Sequence, residues 1–138
     1  CLQPTAELAR AAGFELRWYY KSLQTSDGEH IASQVIVTEI PPGHAQPFHT
    51  HHRIHEMTIV ESGEIVAVDS DSLSETDRES LAQAGRILTA GQMVIEGPGT
   101  RHTIINASDA YARLYTVQTA RIPLAEFPHD WHRDRPIG

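Results

Sequence analysis

The chain has 138 residues, enough for one domain with a real core and too few for two. Its formal charge is −7, from 11 basic and 18 acidic side chains without basic clusters, which argues against nucleic acid and anionic membrane as partners. No window reaches the ~18 continuous apolar residues of a membrane span, and a single cysteine excludes an intrachain disulfide framework. The expected location is cytoplasmic. That cysteine is Cys1, read as an arbitrary start; the alternative is the lipid-bearing first residue of a processed lipoprotein.

In chain order, Pro4 to Gly13 reads as a short helix, with Thr5 as its cap and Gly13 as its stop. Phe14 to Tyr20 is aromatic and partly alternating, which suits a strand. Ser26-Asp27-Gly28 marks a turn, and Ile31 to Ile40 is a clear strand that Pro41-Pro42-Gly43 ends.

The next stretch, Gly43 to Gly63, holds five of the nine histidines. It reads as a strand, a tight corner and a second strand. His49 and His51 are two apart and share one strand face, while His52 points away. Alternation in the following run places Glu56, Thr58 and Val60 together. Two imidazoles and a carboxylate can therefore converge from neighbouring strands, a donor set suited to a divalent first-row metal.

Gly63 to Asp69 continues as a strand. Ser70 to Gly85 breaks the alternation; Thr76-Asp77-Arg78-Glu79 has capping-box form, so a helical turn or two is expected up to Ala84. Strand signals resume at Arg86–Thr89, Gln92–Glu96, His102–Asn106 and Ala112–Thr119. About nine short strands at near-regular spacing are the pattern of an all-β sandwich or barrel. The tail, Ile122 to Gly138, mixes Phe127, Trp131 and three prolines with charges. It is expected to be largely irregular, draped over the barrel mouth or packed on a second subunit.

Gly43, His49, His51, Glu56 and Gly63 match the first cupin motif, G-x5-H-x-H-x4-E-x6-G. Gly91, Gly99, His102 and Asn106 match the second, G-x5-P-x-G-x2-H-x3-N, which is broken only at its proline: position 97 is Gly and Pro98 follows one place later. The chain thus resembles a small single-domain cupin. The resemblance implies an all-β double-stranded β-helix, a jelly-roll barrel, with core about 14–119 and tail 120–138. It implies His49, His51, Glu56 and His102 as ligands of one divalent transition metal (Fe, Mn, Ni, Cu or Zn), with Asn106 supporting the barrel. Glu56 has the alternative role of a base beside the metal.

Other residues receive plainer readings. His44, His52 and His55 are expected at the solvated rim, with His52 or His55 available to a substrate. His129 and His132 are expected in an exposed or packing segment, and Arg101 on the surface. Trp18, Tyr19, Tyr20, Phe48, Met57, Met93, Tyr111 and Tyr115 are expected as core or pocket walls. Three imidazoles and one carboxylate around a 2+ ion leave a net charge near +1 and open positions for anionic oxygen donors. The preferred function is a metal-dependent dioxygenase for a small anionic, enolisable or aromatic substrate. The alternatives are a non-redox isomerase, lyase or sugar-processing enzyme, and a non-catalytic small-molecule or metal-binding module. The expected partners are a small molecule and a second copy of the chain. Catalytic and substrate-binding residues are not assigned by the sequence.

Overall fold

Two antiparallel sheets face each other, and the alternation of side chains along their strands decides what lies between them. The computed structural model describes residues 6–26, 29–69 and 78–133. The Thr5 cap, the 27–28 turn centre and the start of the capping box fall outside those residues.

The first sheet contains β1 (Leu16–Ser26), β2 (Glu29–Ile40), β4 (His55–Ser62), β7 (Met93–Glu96) and β9 (Ala112–Ala120), in the order β1-β2-β9-β4-β7. The second contains β3 (His49–His51), β5 (Glu64–Asp69), β6 (Arg86–Thr89), β8 (Arg101–Ile105) and β10 (Trp131–Arg133), in the order β10-β3-β8-β5-β6. Consecutive strands alternate between the sheets through most of the middle of the chain, as in a jelly roll. β6 and β7 adjoin through a short turn at Ala90-Gly91, so the sheets meet at that edge. At the opposite edge lie β1 and β10, and the space between the sheets opens there.

The strand faces follow the expected period of two. β9 buries Ala112, Leu114, Thr116, Gln118 and Ala120, and β4 buries Glu56, Thr58 and Val60. Ile40, Val60, Ile65, Leu88, Ile104 and Leu114 close one end of the interior with an apolar cluster. Ala32, Ile54, Ala120, Ile122 and Phe127 close the other. The polar inward positions lie in the band between these clusters.

β5 departs from simple alternation, because both its faces are buried. Ile65 and Ala67 face the interior cluster, whereas Val66 and Val68 meet Leu81 of helix α2 (Arg78–Ala84). Helix α2 therefore covers an apolar outer patch of the second sheet. Gly85 ends it against β5, where a Cβ would come within 2.5 Å of Val66 Cγ1. Helix α1 (Ala6–Ala11) lies at one end of the first sheet, where Arg10 binds the Glu39 carboxylate through Nε at 2.6 Å and Nη2 at 2.8 Å.

The middle of the first sheet's outer face is apolar and has no covering helix among the described residues. The register aligns Trp18, Val37, Tyr115, Ile59 and Met93 in one row across five strands. It aligns Tyr20, Val35, Val117, Met57 and Ile95 in the next. Trp18, Tyr20, Met57, Met93 and Tyr115 thus correct the sequence expectation: they lie on the outer face and not in the core or pocket wall, and Tyr20 and Met93 have 63% and 49% of their surface exposed. Apolar character placed them inside, but strand parity turns them out.

The tail is more ordered than its composition implied. A 3-10 helix (Leu124–His129) buries Phe127, and β10 then pairs with β3. Among the described residues no helix is long and apolar enough to cross a membrane.

Candidate metal centre

β3, β4 and β8 bring the four sequence-predicted residues together. His49 pairs with His102 across β3 and β8, and β4 presents Glu56 from the facing sheet. His49, His51, Glu56 and His102 each offer one ligand atom, all within 4.8 Å of one another, and all four side chains are buried or nearly so. Donors at ~2.1 Å from a common ion lie up to ~4.2 Å apart when opposite, so the set can hold a metal with small adjustments.

The hydrogen bonds fix which nitrogens face the centre. His49 Nδ1 donates to the Pro47 carbonyl at 2.9 Å, and His102 Nδ1 donates to the Thr100 carbonyl at 2.9 Å. A carbonyl only accepts, so each Nδ1 carries a hydrogen and each Nε2 is turned inward. His102 Nε2 lies 3.0 Å from Glu56 Oε2 in hydrogen-bonding geometry. His51 Nε2 is 3.0 Å from the same oxygen but out of line, and neither of its buried ring nitrogens has a hydrogen-bond partner among the described residues. A buried nitrogen without a partner is costly unless something absent from the protein atoms occupies its lone pair. That observation fits a cation at the centre of the four.

The local chemistry keeps the donors in usable forms. Burial pushes His49 down to about 4, aided by the neighbouring His102, so its imidazole is neutral at neutral pH. Burial alone would raise Glu56, but the His102 and His51 imidazoles outweigh it and hold the carboxylate well below its usual range. Burial lowers His102, and contact with Glu56 more than reverses this, so its pKa is raised.

Glu96 is a group that sequence reasoning passed over. It pairs with Glu56 across β7 and β4, is only 5% exposed, and leaves Oε2 without a hydrogen-bond partner among the described residues. Burial pushes its carboxyl up to about 7, with Asp69 and Glu56 adding to the rise against His102. Alternation from Val94 pointed to it, since the two share the inward face.

The four residues form the floor of a cavity of about 900 Å³ that opens between β1 and β10. On one wall Gln34 Nε2 donates to Gln118 Oε1 at 2.6 Å, and Thr116 lines the cavity with its hydroxyl 3.0 Å from that of Thr58 behind it. At the mouth Glu15 accepts from Arg17 Nε at 2.8 Å and from Gln46 Nε2 at 3.0 Å. The tail supplies the other side. The Trp131 ring stacks near His51, with centroids 6.0 Å apart and planes at 20°, and its edge meets His49. Nothing in the sequence ties position 131 to position 51; only the β10–β3 register does.

The remaining residues fall where expected or nearby. His52, His55, His129 and His132 are exposed. His44 is half-buried, with Nε2 2.9 Å from Glu15 Oε2. Arg101 is half-buried, its guanidinium 3.8 Å above the Phe48 ring. Asn106 is fully buried and donates to the Ile40 and Ala110 carbonyls at 2.9 and 2.8 Å, a structural tie between loop and barrel. Gly99 takes the place of the motif's third position with φ +85° and donates its N–H to the His51 carbonyl at 2.8 Å. The displaced proline therefore leaves the turn before His102 intact.

Comparisons with known proteins agree with this architecture. A cupin 2 conserved barrel domain protein from Salinispora arenicola superposes with a TM-score of 0.54 at 21% identity, covering 93% of this chain and 92% of that one. A sugar phosphate isomerase of the cupin superfamily from Silicibacter pomeroyi gives 0.56 at 20% identity, over 89% of this chain and 69% of that one. An oxalate oxidase in complex with glycolate gives 0.53 at 22% identity, over 66% of this chain and 43% of that one. At these identities the likeness is one of fold. No curated protein matches the sequence. The family model for the cupin domain matches residues 36–118, which contain both histidine motifs, and the chain belongs to the cupin family.

Proposed function

We propose that His49, His51, Glu56 and His102 bind one divalent transition metal, and that the protein is a metal-dependent dioxygenase of a small anionic substrate held in the cavity above them. The observation that carries this reading is the convergence of four buried donors, one whose ring nitrogens have no hydrogen-bond partner among the described residues, at the floor of a cavity of about 900 Å³. When bound, the ion would supply Lewis acidity toward oxygen donors, or one-electron redox chemistry if it is iron, manganese or copper.

The chain's own residues do the rest. His49 and His102 present Nε2 because their Nδ1 hydrogens are held by carbonyls. Glu56 remains ionised and supplies negative charge within the burial. Trp131 and Phe127 shield the floor from water on one side. The Gln34–Gln118 pair and the Thr116 hydroxyl offer hydrogen bonds to a polar substrate. That polar wall also favours a second reading, a non-redox isomerase or lyase, in which Glu96 holds a proton near the site.

Oxygen uptake separates the readings. Protein loaded with Fe(II) or Mn(II) is expected to consume oxygen with a small hydroxy acid, oxo acid or phenol, and Zn(II)-loaded protein is not. Turnover with Zn(II) and no oxygen would instead support the second reading; thermal stabilisation with no product would support a binding module.

The two apolar rows on the outer face of the first sheet support a homodimer. The rows run ~19 Å across the five strands and lie ~7 Å apart along them, an apolar patch that fits within the ~800 Å² per partner of a standard interface. A second copy offers the same flat apolar surface.

A further inference from the structure

Sheet register extends the candidate centre in one direction that the family motifs do not cover. Arg133 pairs with His49, and His49 pairs with His102, so the three lie in one row across β10, β3 and β8. Residues directly opposite in antiparallel strands point to the same face, so Arg133 projects inward beside His49, about 5 Å away at Cα. It lines the cavity, and its guanidinium carbon sits 3.7 Å from the centroid of the Trp131 ring. Trp131 in turn stacks near His51 on the floor.

Two arginines line the cavity, and they differ in charge balance. Arg17 is neutralised by Glu15, with Nε 2.8 Å and Nη2 2.8 Å from Oε1. Arg133 is fixed by Trp131 and has no carboxylate partner among the described residues. A guanidinium held over an indole ring keeps its N–H edge available and has less rotamer freedom left to lose on binding. Here such an edge stands one strand from the candidate metal ligands.

We propose that Arg133 is the substrate-binding cation of the site and that the substrate is a small carboxylic acid with a second oxygen donor. Its carboxylate meets the Arg133 fork, while a hydroxyl or oxo oxygen reaches the centre formed by His49, His51, Glu56 and His102. The second contact rests on the metal reading above; the first does not. The planar fork matches a carboxylate in a bidentate pair. A phosphate dianion is disfavoured, because the cavity offers one unbalanced guanidinium against the carboxylates of Glu15 and Glu56.

The test uses the full chain, metal-free and Mn(II)-loaded, with malate, malonate and inorganic phosphate as probes in titration calorimetry. Malate is expected to bind both forms, more tightly when Mn(II) is present. Arg133→Gln is expected to weaken malate at least tenfold in both forms, with metal content by elemental analysis and the circular dichroism spectrum unchanged. Arg133→Lys is expected to recover only part of the loss, since an ammonium lacks the fork. The proposal is overturned if Arg133→Gln leaves malate affinity unchanged, if neither acid binds, or if phosphate binds more tightly than malate. Should the wild-type chain take up no metal yet lose malate on Arg133→Gln, the metal reading falls and the Arg133 assignment stands.

Discussion

His49 and His102 face each other across the β3–β8 pair with ring centroids 4.2 Å apart, and each ties its Nδ1 to the carbonyl two residues before it. The same local device on two strands turns both Nε2 atoms toward Glu56. It arises from strand geometry and needs no other side chain to orient the rings.

His51 is the place to test the centre. Its nitrogens have no hydrogen-bond partner among the described residues, and its one close polar contact is with Glu56 inside the same cluster, so the strands around it are held by other bonds. His51→Ala is expected to lower metal affinity by at least ~100-fold, beyond the ~10–100-fold typical of outer partners, while the metal-free protein keeps its melting temperature within a few degrees. Elemental analysis and thermal unfolding check both halves, and unchanged metal content would remove His51 from the ligand set.

Metal uptake is expected to release protons. The His102 pKa is raised by Glu56, so the metal-free pair keeps to higher pH than a free imidazole a proton that a ligand nitrogen must lose. Affinity should therefore increase as pH rises toward and through the His102 pKa. Calorimetry in two buffers of different ionisation enthalpy gives the proton count; identical apparent enthalpies would contradict the pairing.

Glu96 sets a second pH dependence, with the opposite sense for stability. Its folded pKa, about 7, lies above the ordinary 4.5, so the fold favours the protonated acid. Between those values the folded state holds more protons than the unfolded one. Stability from this group is thus greatest below 4.5 and is lost as pH rises through 7. In metal-free protein, Glu96→Gln is expected to stabilise by on the order of 1–3 kcal/mol at pH 8 and by much less at pH 5. Equal effects at both pH values in urea unfolding would count against a neutral Glu96.

Asp130 anchors the tail. Its carboxylate accepts the backbone N–H of Arg53 at 2.9 Å and of Ile54 at 3.0 Å, and it is 2% exposed. Burial would raise its pKa, but these donors and the Arg53 guanidinium lower it. Its contribution is present above the ordinary carboxylate range and is lost as pH falls below it. Asp130→Ala should cost ~1–3 kcal/mol by orphaning the two N–H groups. It should also loosen Trp131, read as a change in tryptophan fluorescence; an unaltered spectrum and melting curve would show that the tail holds by packing alone.

The outer face offers a test of assembly. Ile95 is 68% exposed and sits in the row of Tyr20, Val35, Val117 and Met57. Ile95→Lys is expected to halve the mass seen by light scattering without lowering metal content. A wild-type chain that is already monomeric would rule out the dimer.

Much of this molecule was legible from its residues in a line. The i,i+2 histidines, the alternation from Glu56 to Val60 and the glycine turns gave the strands, because a period of two is a local property of extended backbone. The two motifs gave the family and the four candidate donors. What the line of residues left open were relations across strands. Glu96 beside Glu56, Gln34 against Gln118, and Trp131 and Arg133 beside His51 and His49 are set by register between segments up to 84 residues apart. The same register turned Tyr20 and Met93 outward, since parity fixes which face a side chain joins and hydrophobicity does not. Chain-local chemistry determined the donors; pairing between distant strands decided what surrounds them.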